Sequence, residues 1–486
     1  MLCWVARLTV RPRLKLFRTP VDAWLLGFFV LTFLTALTSY DPDVSIGKLR
    51  AASLFTIVYV TTQNVRSPKI LRALALTLVA SCGVGLVHTF AVYARGRGVK
   101  LRAMTADSPL RAIGFVEGDT IFSVDGAEVR SPEDVVREIE SERAAAGERA
   151  YRFPDGTVAC RWDASQACVR VYRAELMPTG NVARGDLLGG ATASARLGIL
   201  GWTRGRDERA SGFYGQYQTY SEVLQLIASL ALGMFVALRR KWSMKAALVG
   251  LALAGMCGAL LLTVTRASWA GFLVSAFTIV LVGASRRRTL LVTAAIALPL
   301  VVAGLFVLQQ KRQVGFIDTH EGSTAWRLMV WRDGARVLAS RPRHLLVGTG
   351  MDSLKRHWRE WGMFDQGRQP WGHLHSTPLQ IAFERGLPTL LVWAAWLFVY
   401  GRTLVRALRR RTLEGWIERG LLLGALGGLV GFVAGGLVHY NFGDSEVVQV
   451  FYFIMGLALA AERLSREGAE GIDDARADAA GARVPA

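Results

Sequence analysis

The stretch 244-MKAALVGLALAGMCGALLLTV-264 carries one charge in its 21 residues, and stretches like it recur along the chain. A helix rises 1.5 Å per residue, so about 20 apolar residues cross the roughly 30 Å of a bilayer's hydrocarbon. Ten segments meet or approach that length: 21–40, 47–63, 70–93, 213–237, 244–264, 268–284, 289–308, 376–400, 419–439 and 445–462. The second is short and the weakest of the ten. With 52% hydrophobic residues among 486 and a mean hydropathy of +0.30, the expected fold is a polytopic α-helical membrane protein of about 10 transmembrane helices. A basic start (Arg7, Arg11, Arg13, Lys15, Arg18) runs into a full-length span and reads as an uncleaved first helix.

The formal charge of +20 would suit nucleic acid, but its placement argues for a membrane. Basic clusters fall at Arg66/Lys69, Arg239/Arg240/Lys241/Lys245, Arg286/Arg287/Arg288 and Arg402/Arg406/Arg409/Arg410/Arg411. With the N-terminus inside, each lies in a cytoplasmic connection, which is the positive-inside pattern. No nucleic-acid partner is expected. Both termini fall on the cytoplasmic side. The Ala- and Gly-rich segment 463–486 reads as a disordered tail. The same topology places 94–212, the turn at Thr265–Arg266 and the loop 309–375 outside.

The insertion at 94–212 is long enough for one small α+β domain. Thr120–Val124 alternates as a strand and Asp125-Gly126 fits a tight turn. Ser131 with Pro132 behind it starts a helix as N-cap and first helical residue. The segments 157-TVACRW-162 and 167-ACVRVY-172 look like a hairpin. Cys160 and Cys168 flank it in an oxidising compartment, so a disulfide between them is expected. Cys3, Cys82 and Cys257 sit in or beside spans as small apolar fillers. The stretch "SPLRAIGFVEGDTIFSVDGAEVRSPEDV" resembles a bacterial, protease-associated PDZ domain. The resemblance bounds the domain at 94–180, with 181–212 as a linker. It implies a peptide or protein partner that adds as an extended strand. The loop that would hold the peptide carboxylate falls at 95-RGRGVKLRAM-104, without the usual glycine-hydrophobic alternation.

The remaining outer segments gather polar residues at the mouths of spans. Arg266, in 263-TVTRASWAGFL-273, stands at a helix end close to hydrocarbon, where a charge is costly unless paired or hydrated. Trp326, Met329, Val330 and Val337 recur at helical spacing and predict an amphipathic helix that also carries Arg327 and Arg332. The loop 309–375 holds eleven Lys/Arg against six Asp/Glu, a surplus that suits an anionic partner. In 371-WGHLHSTPLQIAFERGLP-388, His373 and His375 precede an apolar run, and Glu384 and Arg385 within it are expected to pair.

These segments resemble the O-antigen ligase and polymerase superfamily of bacterial membrane glycosyltransferases. The likeness rests on "GFYGQYQTYSEVL", "TVTRASWAGFL", "STAWRLMVW…LLVGTGMDSL", "HLHSTPLQIAFERGLPTLLVW" and "YNFGDSEVVQVFYFIMGLALA", in that order, and covers the chain outside the insertion. It implies transfer of a glycan from a polyprenyl-pyrophosphate-linked donor to a lipid, glycan or protein acceptor hydroxyl. The implied setting is the exterior face of a bacterial inner membrane. By motif, the catalytic residues fall on Arg266, Arg327 and His375, with His373 the neighbouring alternative; Ser376 stands where the family has asparagine. Tyr214, Tyr217, Arg332, His373 and Tyr440 are candidate substrate-binding residues, and His439 and Asp444 lie beside the last of these. Guanidinium forks match phosphate oxygens and an imidazole can take the acceptor's proton, so neither metal nor cofactor is expected. Polymerase and protein O-glycosyltransferase share the framework. A glycolipid transporter or flippase is the alternative from another class, and no repeated, interrupted spans in matching positions support it.

Overall fold

The computed structural model describes residues 17–141, 149–152, 158–173, 178–206, 209–283, 306, 322–367, 372–410 and 415–481. The chain divides into two compact units, Met1–Leu86 with Ser211–Leu305 and Phe316–Ala486, and Val87–Ala210 with Phe306–Gly315.

The first unit is helical. Its elements are α1 (Asp22–Leu37), α2 (Pro42–Ala52), α3 (Thr56–Asn64), α4 (Pro68–Arg95) and the inserted unit's α5 to α7, then α8 (Tyr217–Ala237), α9 (Met244–Leu262) and α10 (Arg266–Gly283). There follow α11 (Gly322–Ala339), α12 (Pro342–Val347), α13 (Thr377–Arg409), α14 (Trp416–Gly436) and α15 (Ser445–Gly481). Among the described residues eight helical stretches are long and apolar enough to cross a membrane, and α1 is a shorter apolar helix. This is a multi-pass membrane protein. The expected second span forms as α2 and α3 joined by a 3-10 turn at Ser53–Phe55. The expected span 289–308 lies outside the described residues, Phe306 excepted.

Helices α8 and α14 and the 445–468 part of α15 are mostly buried, while α4 and α9 present most of their apolar length outward. Buried contact between helices in lipid relies on close approach. Gly420, Gly424 and Gly427 of α14 supply it: a Cβ at any of them would collide with α8 or α10 backbone or with Ile279. Side chains add polar links. Gln225 Nε2 donates to Ser275 Oγ (2.7 Å), which donates to the Gly427 carbonyl (2.7 Å). Helix α15 runs to Gly481, where a disordered tail was expected. Arg463 and Glu467 face each other across one turn at 3.6 Å, and the Ala-rich sequence that follows favours helix.

The inserted unit contains α5 (Pro109–Ala112), α6 (Pro132–Glu140) and α7 (Ala193–Arg196), with strands β1 (Arg97–Met104), β2 (Thr120–Val124), β3 (Ala127–Glu128), β4 (Arg149–Arg152), β5 (Val158–Trp162), β6 (Gln166–Tyr172), β7 (Thr179–Ala183) and β8 (Ile199–Gly205). The main sheet runs β7-β6-β2-β1-β8, with β3 on β2, and every pairing is antiparallel. Asp125 and Gly126 both take positive φ, forming the turn between β2 and β3. Ser131 Oγ accepts from Asp134 N at 3.3 Å and caps α6.

Three expectations change here. Strands β5 and β6 do not pair as a hairpin. Both edges of β6 are taken by β2 and β7, so β5 pairs with β4 instead, and Cys160 and Cys168 are joined by a disulfide across a Cα separation of 6.0 Å. Residues 181–205 are not a linker, because Leu197 and Ile199 are buried in the unit's core. Residues 97–104 are a strand rather than a carboxylate-holding loop. Both edges of β1 are hydrogen-bonded, to β2 and to β8, so the position a peptide would take beside it is filled by the chain's own β8.

Candidate functional site

The site is organised by the start of α13. Pro378 stands in the first turn and Ser376 precedes the helix, so the chain enters α13 through the tight turn His373–His375. His375 takes a left-handed φ of 47°, which is uncommon for any residue with a Cβ and persists only where neighbours impose it. They do. Gln380 Oε1 accepts from Leu374 N (2.7 Å), and Trp331 Nε1 donates to the Leu374 carbonyl (2.8 Å). The His375 N–H donates to His373 Nδ1 at 3.2 Å, which leaves the His373 proton on Nε2. The far side is tied by Thr377, whose N–H donates to the His439 carbonyl (3.1 Å) and whose hydroxyl donates to Asn441 Oδ1 (2.8 Å).

Three imidazoles converge as a result. Ring centroids lie 4.0 Å apart for His373 and His375, 5.7 Å for His373 and His439, and 5.6 Å for His375 and His439. One ligand nitrogen from each falls within 4.8 Å of the others, so the trio could hold a metal ion. Trp326 meets the His375 ring edge-on at 4.8 Å. Helix α11 carries Trp326 and Arg327, and is held by a small core of Val330, Val337, Leu354, Trp358, Phe364 and Phe383.

The three rings do not share one electrostatic environment. Burial, then the neighbouring His373, His439 and Arg327 charges, pull His375 down to about 2. Burial, His439, Lys355 and Arg327 take His373 down to about 3. Burial also opposes a charge on His439, but the Glu222 carboxylate, 2.5 Å from its Nδ1, more than offsets it and raises its pKa. At neutral pH His373 and His375 are therefore neutral, whereas the Glu222 contact shifts His439 toward its cation. His375 Nδ1 is buried with no hydrogen-bond partner. Burial pushes Asp444 up to about 6, against the hydrogen bond it accepts from Thr219.

The expected residues are distributed as follows. Arg327, His373 and His375 come together, and Arg327's charge reaches all three rings. Tyr440 is half-buried beside them, its ring 5.5 Å from His373 and its hydroxyl donating to Glu384 Oε2 at 3.4 Å. Arg266 opens α10, half-buried, two residues after Val264, whose φ of 51° is strained for a β-branched side chain. Ser268 one turn on bonds Ser221 of α8 at 2.8 Å, which sets the start of α10 beside the turn bearing Glu222. Tyr214 stacks on Tyr220 at 5.9 Å, and Tyr217 is the first residue of α8. Arg332 is exposed on α11, well round the helix from Arg327. Glu384 and Arg385 do not pair: Glu384 accepts from Gln380 Nε2 (2.9 Å) and Asp352 N (3.0 Å). Glu222 was not foreseen. Its signal was an acidic residue inside an apolar span, which in membranes marks function by default.

Among curated proteins none matches the chain. Residues 251–394, which hold Arg266, Arg327, His373 and His375, match the family model described as O-Antigen ligase, and that match supports the O-antigen ligase and polymerase superfamily.

Proposed function

We propose that the chain transfers a glycan from a polyprenyl diphosphate carrier to an acceptor hydroxyl at the exterior face of a bacterial inner membrane. One observation carries this reading: three imidazoles in unequal electrostatic environments converge near Arg327, and two of them, His373 and His375, lie with Arg327 in the residues that match the O-antigen ligase model. When environments push like groups apart in pKa, they divide into acid and base roles. Neutral His375 takes the acceptor's proton as its oxygen attacks the anomeric carbon. The carbon–oxygen bond to the diphosphate breaks, and the departing oxygens carry the electron pair toward Arg327, Arg266 and protonated His439. Guanidinium groups keep their charge throughout and offer paired donors to phosphate.

Before donor binds, His375 is a weak base. Part of its depression comes from the positive charges around it, and a bound diphosphate would neutralise them. Donor binding therefore raises its pKa toward working pH, where a general base is most effective. Because the base must be unprotonated, activity rises with pH through this pKa. The acid limb of kcat, which reports the donor complex, should lie at higher pH than that of kcat/KM for donor. Coincident limbs would contradict the coupling.

A second reading, metal-dependent transfer, is favoured by the spacing of the three imidazoles and by the carboxylate behind one of them, a common support for a metal-bound histidine. Transfer that survives a strong chelator supports the metal-free reading. Activity lost in chelator and restored by zinc supports the other. Sidedness is tested separately: a single cysteine placed at Arg286 should resist a membrane-impermeant reagent added outside, and labelling there would reverse the topology.

A further inference from the structure

Tyr440, whose ring lies 5.5 Å from His373, also lines a cavity of about 90 Å³ between α1, α2, α13 and α15. Phe28, Leu54, Val448 and Tyr452 give it apolar walls, while Lys48 and Arg385 supply cations. Arg385 is 6% exposed, and its Nε and Nη1 have no hydrogen-bond partner. Its guanidinium lies over the Phe28 ring, 5.4 Å from the centroid. Unmatched donors on a buried charge are costly.

The carboxylates nearby do not relieve this cost. Glu384 Oε1 already accepts from Asp352 N and Gln380, and its Oε2 from Tyr440. Asp352 Oδ2 is held by Lys48 at 2.7 Å and Lys355 at 3.1 Å. Neither carboxylate accepts from Arg385 Nε or Nη1. A buried guanidinium with N–H groups unmatched on two of its nitrogens suits a phosphate, whose several oxygens can accept from both. Lys48 and Ala51 are exposed on α2, part of a membrane-spanning stretch, so the rim opens where lipid lies.

We infer that this cavity binds the phosphate of a membrane lipid, with Arg385 as the buried contact, Lys48 at the rim and the apolar walls along the first carbons of the chain. The shared chemistry is a phosphate ester on a hydrocarbon tail. It comes either from a bilayer phospholipid or from an isoprenoid phosphate. The site depends on the cavity and not on which glycan is moved.

Native mass spectrometry of the purified full-length protein, offered undecaprenyl phosphate, phosphatidylglycerol or diacylglycerol in turn, tests this. One equivalent of a phosphate-bearing lipid should be retained, and diacylglycerol should not. Retention of both phosphate lipids identifies a general headgroup site, whereas retention of undecaprenyl phosphate alone identifies an isoprenoid site. Arg385→Gln should weaken retention by about tenfold or more, since it removes the charge-assisted pair, and Lys48→Gln should weaken it less. Equal retention of diacylglycerol, or undiminished retention in folded Arg385→Gln, overturns the proposal. Should Arg385→Gln fail to fold, Arg385→Lys and Lys48→Gln decide: unchanged binding in both would show that water alone fills the cavity.

Discussion

Arg327→Lys should slow glycan transfer by roughly 100-fold or more in a purified assay, although the positive charge is kept. Removing one preorganised donor from a transition-state charge typically costs that much. A lysine supplies a single mobile ammonium where arginine offers a rigid fork. The loss should appear in kcat more than in KM, because charge on the leaving diphosphate grows as the bond breaks. Arg327→Ala should act differently. It also removes a charge that helps hold His373 and His375 down, so the acid limb of kcat/KM should move to higher pH. His375→Ala should lose transfer comparably, within the 100- to 10,000-fold typical of a general base. Near-normal turnover in Arg327→Lys would remove Arg327 from the diphosphate.

Gly386→Val should leave little folded protein in the membrane. Helix α13 is broken at Gly386, with φ 78° and ψ 167°. Two residues on, Pro388 has no N–H to return to the Glu384 carbonyl. The freed carbonyls are used elsewhere: Phe383 accepts from Thr349 N and Glu384 from Gly350 N, both at 2.9 Å. A Cβ at Gly386 would strike the Leu346 carbonyl, and a valine there would also be strained by about 1–3 kcal/mol. Adding about 1–3 kcal/mol for each of the two buried hydrogen bonds lost, the cost is roughly 3–9 kcal/mol. That is a large share of the roughly 5–15 kcal/mol that holds a typical fold. Gly83→Ala provides the comparison, because nothing lies within 4 Å of its added methyl. Thermal unfolding of both in detergent would measure the difference. Equal melting temperatures would mean the break does not pin the 346–350 segment.

Periodicity made much of this fold legible. Most of the spans, the amphipathic α11, the Ser131 cap and the Asp125-Gly126 turn are local consequences of spacing and backbone preference, and among the described residues they formed where the sequence put them. Strand partners were not legible in the same way. Whether β5 pairs with β4 or β6 depends on which edges distant strands have already taken, and no local pattern records that. The site divided similarly. His373, His375 and Arg327 sit in recognisable stretches. Glu222 gains meaning only from His439, brought beside it from another helix, and the unequal protonation of the three rings follows from that one contact.

The pairing of β1 with β8 sets Arg97 opposite Gly205, so the inserted unit begins and ends on neighbouring strands, roughly 5 Å apart by antiparallel geometry. A host chain opened at this point meets two ends no wider than a hairpin. Such a cassette can be gained, lost or exchanged while the host supplies only a short connection, which is the condition under which domain insertion is tolerated. A transferase of this kind can thus acquire a new appendage in a single recombination, with its helices left in place.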